Sequence, residues 1–321
     1  MTTPQISRRA FLARSSSVAA ATVVLPALGS LAADAGAAKT QGHLRLGGPS
    51  FAKADDPEQL ALAHRRLGYR AAYCPDIALT DVDRIRAVRD AFAKQDVVIA
   101  EVGRWVNLLD ADPAKLRQNL EAVSNGLALA EAVGARCCVD IAGSFNEKIW
   151  YGPHPENFSR KFFDAAVENA RKIIDAVKPT RTTFCYEMMG WALPESPDSY
   201  LKLIKAVDRK AFAVHLDPCN LVNSPERFYR NTELLNECFD KLGPWIASCH
   251  AKDLKWEVEM NVHFVEVIPG KGSMDYATYL RRLAALPQSP PLMIEHLATA
   301  DDYAQAARHI LAEGGKLGLE F

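Results

Sequence analysis

Eight short runs rich in β-branched, aromatic and small apolar residues recur along the chain, each followed by a longer stretch with helical periodicity. The runs are HLRLGG (43–48), RAAYC (70–74), DVVIAEV (96–102), ARCCVDIA (135–142), RTTFCYE (181–187), AFAVHLD (211–217), WIASCHA (245–251) and PLMIEH (291–296). Helices are expected over Pro57–Leu67, Asp81–Lys94, Pro113–Val133, Phe158–Val177, Pro197–Val207, Pro225–Leu242, Asp275–Leu286 and Thr299–Glu313. Several begin at a proline or follow Asp or Ser, and Gly68, Gly134 and Gly243 stand where helices should stop. Strands apolar on both faces, each followed by a helix, make a parallel sheet covered on both sides. Eight such units predict a (β/α)₈ TIM barrel over 42–321. A doubly wound open sheet is the alternative, weakened because LGGPSFAKADD after the first run lacks the Gly-x-Gly-x-x-Gly turn.

Chemistry in such a barrel sits where strands end at their C-terminal side. The last four runs end in Glu187, Asp217, His250 and Glu295. Three carboxylates crowded into one apolar mouth repel one another unless a cation or protons intervene. One divalent ion resolves the arrangement. Three oxygen donors and one imidazole favour Mn²⁺, with Mg²⁺, Co²⁺ or Zn²⁺ tolerated, and leave room for two substrate oxygens. His250, at the polar end of the apolar string ASCHAKDLKW, is therefore expected to ligate that metal.

The order of these residues, with the strings CYEMM, HLDPCN, SCHAKD, IPGKGSMDY and MIEHL, resembles the xylose isomerase-like barrels over about residues 43–315. That superfamily holds sugar isomerases, tagatose 3-epimerase-type enzymes, inosose dehydratases and endonuclease IV. The resemblance implies that Glu187, Asp217, His250 and Glu295 are metal ligands. It also implies that Glu187 and Glu295 are catalytic, as general bases on opposite faces of a sugar. Physically, a metal holding a carbonyl and the adjacent hydroxyl acidifies the intervening C–H, which a carboxylate can then remove. Two departures stand out. Asn220 occupies the place where the epimerases carry a substrate-contacting His, and the loop from Lys252 to Gly272 has no Arg, offering Lys252, Lys255, His263 and Lys271 instead.

Trp105, Trp191, Asn220 and Lys252 are the expected substrate contacts. Trp150, Tyr151 and Trp256 are left to packing, Lys271 to a turn, and Lys252 has pairing with Asp253 as its alternative. His296 is expected to point away from Glu295 by strand alternation.

The expected function is a metal-dependent isomerase or epimerase of a free or oxidised (keto) sugar. The alternatives are a lyase, dehydratase or keto-glycoside-cleaving enzyme on the same scaffold, a non-catalytic sugar-binding barrel, and an endonuclease IV-like phosphodiesterase. With 38 basic and 39 acidic residues, net charge −1, the chain offers no electrostatic case for nucleic acid or an anionic membrane. Residues 1–38 resemble a twin-arginine export signal and linker: Arg8 and Arg9 precede Phe11 and Leu12, then a small and apolar run from Ser17 to Leu31. That implies recognition by the twin-arginine export machinery and a periplasmic destination. The run is too short for a stable membrane span, which takes about 20 apolar residues. Seven cysteines without C-x-x-C spacing point to buried thiols rather than a zinc knuckle or disulfide scaffold. The sequence leaves homo-oligomerisation open.

Overall fold

The computed structural model describes residues 43–321; the expected export signal lies outside the described residues. Eight parallel strands close into a barrel: β1 (Leu46–Gly47), β2 (Ala71–Tyr73), β3 (Val98–Gly103), β4 (Cys137–Asp140), β5 (Thr183–Glu187), β6 (Phe212–Leu216), β7 (Ile246–Ala251) and, after an inserted hairpin β8–β9, β10 (Leu292–Ile294). Closure is direct, because β1 pairs in parallel with β2 on one side and β10 on the other. The open-sheet alternative is thereby excluded.

The helices occupy the expected intervals: α1 (Pro57–Arg66), α2 (Val82–Lys94), α3 (Pro113–Val133), α4 (Arg160–Val177), α5 (Pro197–Val207), α6 (Pro225–Tyr229), α7 (Asn231–Leu242), α8 (Tyr276–Ala284) and α9 (Ala300–Lys316). Their starts are chemically marked. Asp56, Asp81, Asp112, Ser159, Ser196, Ser224, Asp275 and Thr299 each accept a hydrogen bond from a first-turn backbone N–H. Gly134 ends α3 at φ 78°, a left-handed position that glycine enters without strain. Gly243 does stand where α7 stops, as expected, and a short 3₁₀ turn begins there. Two expectations are corrected. The helix foreseen over Pro225–Leu242 breaks at Arg230 into α6 and α7. The segment foreseen as a long loop between Lys252 and Gly272 folds into an antiparallel hairpin, β8 (Asp253–Val258) against β9 (Val262–Val267). Its alternating Leu254, Trp256, Val258 and Val262, Phe264 were a period-two signal, and Trp256 packs on Phe228 and Phe264.

Strand alternation divides the apolar residues. Cys138, Phe184, Phe212 and Val214 join the large layer between strands and helices, whereas Cys137, Val139, Cys185 and Ala213 fill the barrel interior with small side chains. Above that interior layer the buried residues turn polar: Glu101, His215, Ser248 and His250. The barrel core thus changes from hydrocarbon to acid and imidazole towards the C-terminal ends of the strands.

Candidate metal and substrate site

Asp217 and Glu295 directly follow β6 and β10, while Glu187 closes β5 and His250 lies within β7. The four expected residues converge, each offering one ligand atom with all four atoms within 4.8 Å of one another. His250 Nδ1 stands 3.0 Å from Glu187 Oε1, 2.8 Å from Glu295 Oε1 and 3.5 Å from Asp217 Oδ2. Tyr279 fixes the backbone beneath it, its hydroxyl donating to the His250 carbonyl at 2.9 Å. Asp217 is oriented by its own loop, since the Asn220 backbone N–H donates to Oδ1 at 3.1 Å and leaves Oδ2 facing the cluster.

The ring's other nitrogen explains its orientation. His250 Nε2 lies 3.3 Å from Glu101 Oε1, and the second Glu101 oxygen takes His215 Nε2 at 2.6 Å and the Ser248 hydroxyl at 3.1 Å. A carboxylate that holds Nε2–H turns Nδ1 towards the other acids, the orientation in which a metal ion would take the place of the Nδ1 proton. Glu101 was not foreseen from the sequence. Its signal was a lone charge inside the apolar string DVVIAEV, and it also belongs to a second buried cluster with His215 and His250.

The donor set fits a divalent ion, on an observation of its own. Asp217 Oδ2 and Glu295 Oε1 are buried without a hydrogen-bond partner, although Lys252 Nζ approaches them to 2.9 and 2.6 Å. The contacts are close but misaligned. An ammonium has fixed N–H directions, whereas a metal ion accepts oxygen ligands without donor directions of its own. Glu187, Asp217, His250 and Glu295 are the residues that would hold the ion.

Charge and burial act against one another here. Burial raises the Glu187 carboxyl above its ordinary value, an effect that the nearby His250 and Lys252 do not overcome. Burial pushes Glu295 the same way, but His250 and Lys252 prevail and hold it down to about 2. Asp217 is also held low against burial, chiefly by Lys252 and His250. Burial alone would lower His250, yet the facing Glu295, Glu101 and Glu187 carry it well above the usual imidazole range.

The cluster opens into a cavity of about 740 Å³ whose wall includes Glu187, Glu295, Lys252, Asn220, Trp105 and Trp191. Trp105 folds back over β3, where Gly103 makes room: a Cβ there would sit 2.8 Å from Trp105 Nε1. Trp191 is held by its indole N–H, which donates to the Tyr151 carbonyl at 2.7 Å. Trp150 and Tyr151, left to packing above, also line the wall, whereas Trp256 does pack, against α6 and β9. Asn220 lines the cavity, but its amide donates to Glu187 Oε1 at 3.1 Å and to the Met188 carbonyl at 3.0 Å. It braces Glu187.

Two expectations about polar neighbours are corrected. Lys252 does not pair with Asp253. Asp253 instead accepts four backbone N–H groups, from Leu254, Gly270, Gly272 and Met274 at 2.9–3.0 Å. The IPGKGSM turn wraps this carboxylate, and a Cβ at Gly272 would collide with it. His296 does not point away. Its φ of 58° breaks the strand alternation and brings Nδ1 to 3.0 Å from Glu266 Oε2 on β9, at the cavity wall.

A closed parallel barrel with acids and imidazole gathered at the C-terminal mouth defines the class: a (β/α)₈ barrel with a cluster of potential ligand atoms beside a cavity. Within that class the chain belongs to the xylose isomerase-like TIM barrel family, which residues 61–313 match. No curated protein matches the sequence. Among solved structures, a xylose isomerase-like TIM barrel protein from Mycobacterium smegmatis in complex with magnesium is similar, with 19% identity, TM-score 0.60, and 85% of this chain and 97% of that one covered. So is a 3-keto-D-glucoside 4-epimerase from E. coli, with 15% identity, TM-score 0.59, and 84% and 98% covered. Endonuclease IV from Thermus thermophilus shares the fold too, with 16% identity, TM-score 0.62, and 85% and 99% covered.

Proposed function

We propose that this barrel is a divalent-metal-dependent sugar isomerase or epimerase, acting on the carbon next to a carbonyl of a free or oxidised sugar. The observation that carries this reading is the convergence of Glu187 and Glu295 with Asp217 and His250 on one cluster that opens into the cavity. An Mn²⁺ ion held by Glu187, Asp217, His250 and Glu295, or Mg²⁺, Co²⁺ or Zn²⁺ in its place, would supply the polarisation of the carbonyl that acidifies the neighbouring C–H. Glu187 removes the proton from one face, braced by the Asn220 amide, and Glu295 delivers one to the other. Trp105 and Trp191 cover the sugar's C–H faces and exclude water, and Lys252 meets a substrate oxygen.

A second reading is favoured by the cavity. Its 740 Å³ extends from the acids to the aromatic residues Trp150 and Tyr151, more room than one sugar ring fills. The same proton abstraction on a 3-keto-glycoside would expel the group at the β carbon, making the enzyme a lyase. The similar epimerase that acts on a 3-keto-D-glucoside supports oxidised glycosides as the class to try first. The phosphodiesterase reading fits less well, since the wall joins carboxylates to aromatic rings, which repel a polyanion. We also propose export of the folded protein to the periplasm by the twin-arginine route, on the strength of Arg8 and Arg9.

Incubation with ketoses, 3-keto-sugars and 3-keto-glycosides in D₂O with Mn²⁺ tests the reaction. Deuterium should appear next to a carbonyl, with inversion for an epimerase and release of the aglycone for a lyase. Glu187→Gln and Glu295→Gln should each lower exchange by about 10²-fold or more while bound metal is largely retained, because an amide keeps an oxygen ligand but is a negligible base. Absence of exchange with every substrate and metal would leave the barrel as a sugar-binding protein.

A further inference from the structure

Lys252 follows β7, two residues beyond His250, and is only 4% exposed. Its Nζ lies 2.6 Å from Glu295 Oε1, 2.9 Å from Asp217 Oδ2 and 3.7 Å from Glu187 Oε1. These are the same three oxygens that surround His250 Nδ1. The ammonium therefore competes for the ligand atoms of any metal ion. Two positive charges on shared oxygens in a buried site repel strongly. The pairing is one of charge rather than of aligned hydrogen bonds, since Asp217 Oδ2 and Glu295 Oε1 both lack an aligned donor.

An alternative resting place is within reach. Glu266 Oε1, on β9 at the cavity wall, stands 3.9 Å from Nζ, and its other oxygen is already anchored by His296. The Asn220 side-chain amide oxygen, Oδ1, also accepts from Nζ, at 3.2 Å. A lysine on a flexible four-carbon stem can move over such a span without disturbing the backbone, which the Tyr276 hydroxyl pins by donating to the Lys252 carbonyl at 3.0 Å.

We propose that Lys252 is a displaceable counter-ion for the metal site: its ammonium neutralises Asp217 and Glu295 in the metal-free protein and moves towards Glu266 and the cavity when the ion binds. This inference rests on the metal-dependent reading above. It adds an order to the site. The cation that meets substrate becomes available only after metal has loaded, so metal binds first and sugar second.

The test compares wild type, Lys252→Met and Glu266→Gln in Mn²⁺ titration calorimetry, with thermal melting of the metal-free and Mn²⁺-saturated proteins. Lys252→Met should bind Mn²⁺ at least tenfold more tightly, and its metal-free form should melt below wild type, with saturating Mn²⁺ closing the gap. Glu266→Gln, at a half-exposed position, should bind Mn²⁺ at least threefold more weakly, because the displaced ammonium loses its partner. Equal or weaker binding by Lys252→Met, with wild type still binding Mn²⁺, overturns the counter-ion role and leaves the metal site standing. Tighter binding without a lower metal-free melting temperature overturns it as well, since a mere neighbouring charge would behave so. Unchanged affinity in Glu266→Gln removes Glu266 as the destination, and decides the matter even if Lys252→Met fails to fold. If neither wild type nor Lys252→Met binds Mn²⁺, both the proposal and the metal-dependent reading fall.

Discussion

His250 is constrained at each ring nitrogen, and the two constraints were not equally readable in advance. Nδ1 faces three strand-end acids, and each of those marks itself in the sequence as a polar residue closing an apolar run. Nε2 faces Glu101, which sits inside its run and finds partners 114 and 149 residues away. Pairing at that separation is a product of barrel closure, and no local pattern encodes it. Lys252 was legible as a strand-end cation but not as a partner of Asp217, because its neighbour Asp253 looks like the nearer choice until the IPGKGSM turn claims it. A graded series checks these roles by elemental analysis and titration. His250→Ala and Asp217→Ala should lose bound metal with the barrel still folded. Glu101→Gln should retain it with affinity lowered about 10- to 100-fold, the usual effect of removing a partner behind a metal-bound histidine. Stoichiometric metal in both alanine variants would refute the site.

Elements were legible where capping chemistry and periodicity agreed, as in α3, whose bounds follow from Asp112, Pro113 and Gly134. They were obscured where tertiary packing decided, as in the β8–β9 hairpin, whose Trp256 finds its partners on α6. One helix–strand junction carries a stability prediction. Glu131, near the end of α3, accepts the backbone N–H groups of Arg181 and Thr182 at 3.0 Å each, and the Thr180 hydroxyl at 2.8 Å, so it ties the entry of β5 to its helix. Burial opposes its ionised form, but these donors prevail and hold the carboxyl down to about 2. A depressed folded value stabilises above the unfolded one, about 4.3, and that stabilisation fades as pH falls towards 2. Glu131→Gln should therefore cost about 1–2 kcal/mol at pH 7. Urea melts should find the gap between variant and wild type shrinking below pH 4. A gap independent of pH would mean that packing, not charge, is what Glu131 supplies.

For the molecule as a whole, no described helix is long and apolar enough to cross a membrane, and all seven cysteines are unpaired. The proposed export route is checked by fractionation. Lysines at Arg8 and Arg9 should strand the folded protein in the cytoplasm, and unchanged periplasmic recovery would count against it. The circuit of strands has a consequence of another kind. The acids and imidazole proposed to do chemistry come from β5, β6, β7 and β10, which are neighbours around the barrel, while Trp105, Trp150 and Tyr151 stand on loops after β3 and β4. Part of recognition would thus be written on a different arc from reaction, while Trp191 and Lys252 stay beside the reacting groups. A chimaera that borrows the first arc from another family member should change what is accepted while keeping how it is transformed, provided one foreign-looking residue travels with the recipient rather than the donor. That residue is Glu101, the point at which the recognising arc reaches across to hold the reacting one.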